Sequence, residues 1–259
     1  SRGGTNETGY YLHRLSMAGV EAIFAADGIP EGDEGELIQG VKSWQARQYS
    51  VKLSRDVIRG NISSLTVRHS APGGPPPFGY DKQHVAADGT ILRTFRTIRG
   101  GKKEFDSNGN LLRVLGPGEI VRKTKTDICR FVPSTPERVK TLQRIFAECI
   151  AGYGMPTIAK HLNTEGVPTA NGKPWTADLI RGILHNPTYR GALAWNRKTQ
   201  GKLHGVAGDG KLRPKRGYTC HRNDKSDWYV VEGVHEPLVS PEIFEKAQKA
   251  IYENGKANG

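Results

Sequence analysis

Cysteine is nearly absent from this sequence. Three occur among 259 residues, Cys129, Cys149 and Cys220, an odd number set far apart with no Cys-x-x-Cys pair, which excludes a disulfide framework. Cys220-His221 with His235 is poor ligand spacing for tetrahedral zinc, so neither a metal nor a cofactor is expected. Long apolar runs are missing too, since none approaches the ~20 residues that a bilayer span needs. Ser1 to Tyr11 lacks the basic start and apolar stretch of a secretory leader. A reducing, cytoplasmic setting with no membrane partner is therefore the expectation.

Acidic residues are scarce in a different sense. Lys and Arg number 38 against 26 Asp and Glu, a formal charge of +12. Residues 1–60 hold seven basic against eight acidic side chains, and residues 61–259 hold 31 against 18, so the excess lies wholly in the later part. A polyanion is the indicated partner, because each Lys or Arg set against a phosphate releases condensed counterions. A solvated basic surface would have the same composition.

The apolar spacing of Tyr10, Tyr11, Leu12, Leu15 and Met17 predicts a short amphipathic helix over Asn6 to Ala18, and Val20 to Ala26 reads as a strand. One such unit cannot cover a sheet, so the sequence is expected to start partway through an α/β domain. From about Glu34 to about Leu65, Leu37, Ile38, Val41, Trp44, Tyr49, Leu53, Val57 and Ile58 recur mostly at spacings of three and four, which predicts one long helix. At 1.5 Å per residue it would measure ~45 Å, and its far end must leave the parent domain. Lys52, Arg55, Arg59 and Arg68 mark that far end as basic. The run SAPGGPPPFGY, Ser70 to Tyr80, disfavours helix and ladder and reads as a stiff extended connector.

Between Asp81 and Pro133 short β-type runs alternate with glycine turns. Asn108-Gly109 is expected to form a type I′ hairpin with positive φ at both central positions. Residues 93–130 carry ten basic against four acidic side chains, which predicts a basic β-meander. Thr135-Pro136-Glu137 starts a helix closed by Gly152, Met155 to Leu162 forms a second, and Thr176 caps a third, TADLIRGILHN. These three predict a helix-turn-helix-like unit whose last helix bears Arg181 and His185. Residues 189–259 read as β, with RGALAWNRK and DWYVVEG as strands, a mobile basic loop GKLHGVAGDGKLRPKRGY between them, and an amphipathic helix from Pro241 to Tyr252.

The run from Ser1 to Gly60 resembles the latter half of the catalytic domain of serine recombinases, the resolvase and invertase superfamily. PPPFGY, the segment from VPSTPERVKTLQRIF through RGILHNPTYRGALAW, and VHEPLVSPEIFEKAQ resemble the recombinase domain of the large serine recombinases, or serine integrases. The resemblance implies a partial resolvase-like α/β catalytic domain with its long helix over residues 1–67, a linker over 68–82, and an α+β DNA-binding domain over 83–259. It further implies site-specific recombination of double-stranded DNA through a phosphoserine intermediate, with arginines stabilising the transferring phosphoryl group. Ser1-Arg2 is similar to the end of the family's Asp-Arg-Leu-Ser-Arg motif, so Arg2 is the match for one active-site arginine, and Arg55 for the arginine of the long helix. The family's Tyr-x-Arg-x-Ser nucleophile motif and its zinc ribbon have no counterpart in the sequence. A middle portion of a longer bacterial or phage enzyme is thus expected, inactive alone. The intact enzyme is expected to be a homodimer in solution and a tetramer in the synaptic complex.

For DNA contact the sequence offers Arg59, Arg68, Lys173, Thr176, Arg181, His185, Arg190 and Lys198. Arg181 is the candidate base reader, because arginine bonds guanine at two atoms, and the lysines set register on phosphates. Trp175 and Trp195 read as core, and so does Cys149. A stand-alone helix-turn-helix-like regulator and an RNA-binding protein built on the meander are the competing readings.

Overall fold

The computed structural model describes residues 5–20, 33–121, 124, 126–199, 204–214 and 220–257. The chain divides into two compact units, residues 1–60 with 198–221, and residues 61–197 with 222–259.

In the first unit α1 spans Thr5–Met17, and α2 begins at Asp33, running to Thr66 as one 34-residue helix that ends inside the second unit. Both leave apolar side chains in solvent, among them Tyr10, Tyr11, Leu37, Val41 and Trp44. The expected strand at Val20 to Ala26 lies outside the described residues beyond Val20. Of the segment expected to be a mobile loop, the described residues 204–214 form a small hairpin, His204–Val206 paired antiparallel with Leu212–Pro214, and its remaining residues lie outside the described ones.

The second unit is built on an antiparallel sheet of β1 (Tyr80–Val85), β2 (Ile91–Ile98), β3 (Gly101–Phe105), β4 (Leu111–Leu115) and β5 (Ile128–Pro133), in the order β4-β3-β2-β1-β5. It is a meander to which β5 returns beside β1. Its turns share one chemistry. At Ala86 to Thr90 and Asp106 to Asn110 the first residue's N–H bonds the fifth residue's carbonyl, and a glycine at the fourth place, Gly89 or Gly109, takes positive φ. The Ala207 to Lys211 turn of the first unit repeats the pattern with Gly210. Positive φ at Asn108 was the expectation for type I′, and it is not found, because the longer loop needs only Gly109 there and the Asp106 carboxylate holds the N–H groups of Asn108 and Asn110.

The connector is pinned to this sheet. Lys82 Nζ donates to the carbonyls of Pro72 and Gly74 at 2.7 and 3.0 Å, Ala71 N–H bonds Cys129 O, and Ser70 Oγ accepts from Cys129 N–H. Across β2, β3 and β4, Glu104 is buried between Arg93 and Arg113, each at 2.6 Å. Burial raises its carboxyl pKa, but hydrogen bonds from Arg113 and Arg93 and their charges outweigh that, and the group sits below the usual range.

Helices α3 (Pro136–Ile150), α4 (Met155–Thr164), α5 (Ala177–Leu184) and α6 (Pro241–Ala257) enclose the core. Leu142, Ile145, Phe146 and Cys149 of α3, Ile158 and Leu162 of α4, and Ile180, Ile183 and Leu184 of α5 are all buried. The three- and four-residue spacing of these residues puts them on inward faces. Leu193–Trp195 and Tyr229–Val231 pair antiparallel beside the bundle.

Tyr80 joins sheet to helices, stacking on Tyr189 and donating its hydroxyl to Glu236 O at 2.9 Å. The edge of His235 packs against it. His235 Nε2 lies 2.8 Å from Thr188 O, and Nδ1 is buried with no hydrogen-bond partner among the described residues. Burial pushes the pKa of His235 down, and that of His185 likewise. Below about pH 6.5 the unfolded chain therefore binds more protons than the folded one. This contribution to stability is complete above that pH and is lost as pH falls. The thermal midpoint is expected to drop between pH 7 and 5, and His235→Gln, which keeps a donor for Thr188 O and cannot titrate, should flatten the drop. Identical pH profiles for parent and variant would refute the assignment to His235.

Candidate nucleic-acid interface

The third bundle helix owes its presentation to the loop before it. Trp175, 3% exposed, anchors that loop by donating Nε1–H to Val167 O, while Asn163 of α4 accepts from Trp175 N–H and donates to Trp175 O. Thr169 Oγ donates to Lys173 O at 2.6 Å. With the loop tied at both ends, Lys173 is left in solvent at its tip. Arg99, from the end of β2, lies over the same tip, its Cδ 2.8 Å from where a Cβ on Gly172 would stand.

Thr176 caps α5, its hydroxyl oxygen accepting from Leu179 N–H at 3.2 Å. Ile180, Ile183 and Leu184 face inward, and this rotation turns Asp178, Arg181 and Gly182 outward with His185 at the C-cap. The only ion pair of Arg181 among the described residues is with Asp178, one turn back, at 3.0 Å. An exposed pair of this kind is worth about 0.2–1 kcal/mol, so the guanidinium can exchange it for a ligand at little cost.

His185 is held through Nδ1, 3.0 Å from Gln248 Oε1 of α6. Burial lowers its pKa first, and the charged groups that weigh on the ring, Arg222, Lys225 and Arg181, are all cationic. Arg181, Arg222 and Lys225 are exposed, and their charges reach the His185 ring. Asp178 offsets part of this charge, and a polyanion would meet the remainder.

The other sequence candidates fall elsewhere. Arg2 lies outside the described residues. Arg55 and Arg59 are exposed on α2, and Lys198 is exposed too. Arg68 Nη2 donates to Thr126 O at 2.7 Å and so ties the end of α2 to the loop before β5. Arg190 is clasped by Glu232 and Glu245 at 2.6 and 3.0 Å, with its guanidinium over the Phe244 ring. Arg197, beside Lys198, is part-buried, bonding Asn186 Oδ1 at 2.6 Å over Trp228, and burial lowers its pKa. Sequence reasoning missed Arg99, Arg222 and Lys225, which reach these surfaces through tertiary packing. Their only advance signal was net charge.

No helix among the described residues is long and apolar enough to cross a membrane. Residues 136–254 match the family described as Recombinase. No curated protein matches the chain. Among solved structures, a chain from the crystal structure of an LSR-DNA complex is similar over 78% of this chain, at 17% identity and a TM-score of 0.38, and this chain spans 40% of that chain's length.

Proposed function

On the premise that residues 136–254 carry a Recombinase domain, we propose that this chain binds duplex DNA at a recombination site, with α5 as the element that meets the bases. The observation that carries this reading is the outward face of the Thr176-capped helix α5, where Arg181 is exposed with only a surface pair to Asp178 among the described residues, and Lys173 is exposed on the loop before it. Helices α4 and α5 are read as a helix-turn-helix-like pair, with Arg181 facing base edges and Lys173, Thr176 and Arg99 on phosphates. Residues 1–67, 68–82 and 83–259 are assigned to the long-helix catalytic portion, the linker and the DNA-binding portion.

The intact enzyme is read as a serine-type recombinase that cuts and rejoins DNA through a phosphoserine, with Arg2 and Arg55 lending charge at the reacting phosphate. No Tyr-x-Arg-x-Ser motif occurs in these 259 residues, so strand cleavage by them alone is not expected. Exposed Leu37, Val41 and Trp44 on α2 support assembly as a homodimer, with a tetramer at synapsis.

The test is equilibrium binding of the full chain to labelled duplex and single-stranded DNA over a salt series. Duplex preference with a steep salt dependence is expected, and equal affinity for single strands would overturn the reading. Lys173→Ala should weaken binding to every duplex about equally and lower the slope of log K against log salt by about 0.9, one phosphate contact. An unchanged slope would remove Lys173 from the interface.

A further inference from the structure

The hairpin His204–Pro214 stands against the long helix. His204 Nδ1 lies 3.1 Å from Ser54 Oγ, and the charge of Arg55 reaches the same imidazole. Val206 and Ala207 are buried, although strands of three residues cannot enclose a core of their own. The hairpin is thus a docked element of the first unit.

What it brings to the helix is positive charge. Lys52, Arg55 and Arg59 follow at spacings of three and four, which places them on one face of α2, and Ser54 lies about 100° round the helix from Arg55, the member of that face nearest to it. Lys52, Arg55 and Arg59 are exposed and have no ion-pair partner among the described residues. The hairpin adds Arg213 and Lys211, both exposed, the latter held 3.1 Å from Asp209 in a surface pair. Arg55 is the common member, lying in the basic stripe and beside the hairpin's anchor.

We propose that the hairpin is a phosphate-binding arm carried on α2, and that Lys211 and Arg213 contact the backbone of the same duplex as Arg55 and Arg59. The inference rests on the duplex-binding reading above and adds to it a contact made by the other unit. The hairpin turn, closed by Gly210 at positive φ and by Ala207 N–H on Lys211 O, sets Lys211 at the end of the turn and Arg213 two residues on, in the strand paired with Gly205. Little ordering entropy is then lost on binding. Contacts of this kind carry no base information, so they strengthen binding to any duplex sequence alike.

The experiment uses the full chain and a labelled duplex, with affinity measured across a potassium chloride series. Lys211→Ala with Arg213→Ala is expected to lower the slope of log K against log salt by nearly 2, at about 0.9 per contact, with equal loss on preferred and unrelated sequences. Unchanged slope and affinity would overturn the proposal. Lys173→Ala, in the other unit, separates the failures. If it lowers the slope and the hairpin variant does not, the arm alone is wrong, whereas a parent chain that does not bind duplex overturns both readings. Ser54→Cys with His204→Cys tests the docking. Oxidation should join the two positions and leave duplex affinity unchanged, while a failure to join, or a joined chain that binds more weakly, shows an arm that does not work from the docked position.

Discussion

Replacing Arg181 by alanine is expected to cut the preference of the chain for its selected half-site over unrelated duplex by roughly 5- to 150-fold. That range corresponds to the about 1–3 kcal/mol by which a bidentate arginine contact discriminates one base pair from another. The size follows from where the side chain stands. Arg181 lies on the outward face of α5, beyond the turn capped by Thr176, and among the described residues its guanidinium is paired only with the exposed Asp178. Arg181→Lys keeps the charge without the planar fork, so it should hold affinity for unrelated duplex and still lose preference. The measurement is the ratio of affinities for a duplex enriched from a random pool by the parent chain and for a scrambled duplex. If Arg181→Ala weakened both in the same proportion, Arg181 would be a phosphate contact and α5 would not be reading bases.

The largest effect on stability is expected at Phe146. Its side chain is fully buried, with ring contacts to Tyr189 and Phe244 at centroid distances of 6.0 Å. Tyr189 in turn stacks on Tyr80, so the ring of Phe146 is one link between α3, α6 and the sheet. Phe146→Ala should lower the unfolding free energy by about 3–5 kcal/mol, from lost transfer energy and the cavity left behind. That is a large share of the about 5–15 kcal/mol that holds a typical domain. Phe146→Leu, which keeps most of the volume, should cost much less. Urea unfolding followed by tryptophan fluorescence reads both, and a loss below about 1 kcal/mol for the alanine variant would mean that the neighbouring rings collapse into the space.

Much of this architecture is legible in the sequence because local chemistry decides it. The spacing of Leu37, Val41 and Trp44 and the lack of proline after Pro30 foretell the helix that runs from Asp33 to Thr66. Thr135 before Pro136, and Thr176 before ADLI, foretell two helix starts within a residue. The glycines at 89 and 109 mark hairpins correctly, while the turn type at Asn108-Gly109 escapes, because Asp106, two residues earlier, captures the backbone N–H groups and lengthens the loop. The His204–Pro214 hairpin escapes for another reason: strands of three residues are too short to show a period of two.

The candidate binding surface is less legible than the fold. Arg181 and His185 could be picked out because they share a helix face, which is a local relation. Arg222 and Lys225 join them from some forty residues away, and no spacing rule announces it. The same limit governs Arg190. Glu232 and Glu245 converge on it from distant segments, so a side chain that reads as a free cation in sequence is a brace between the bundle and α6 in the structure.

The Asp106 turn also bears on how the protein ages. An asparagine followed by glycine is prone to deamidation, since the unhindered glycine nitrogen can attack the asparagine side-chain carbonyl and expel ammonia through a cyclic imide. At Asn108-Gly109 that nitrogen already donates its hydrogen to Asp106 O at 3.2 Å, and the amides on either side of it are held by the Asp106 carboxylate. The attack needs a backbone that has first let go of these bonds. Slow chemical wear at this position is therefore expected to track the fraction of time for which the β3 and β4 hairpin stands open.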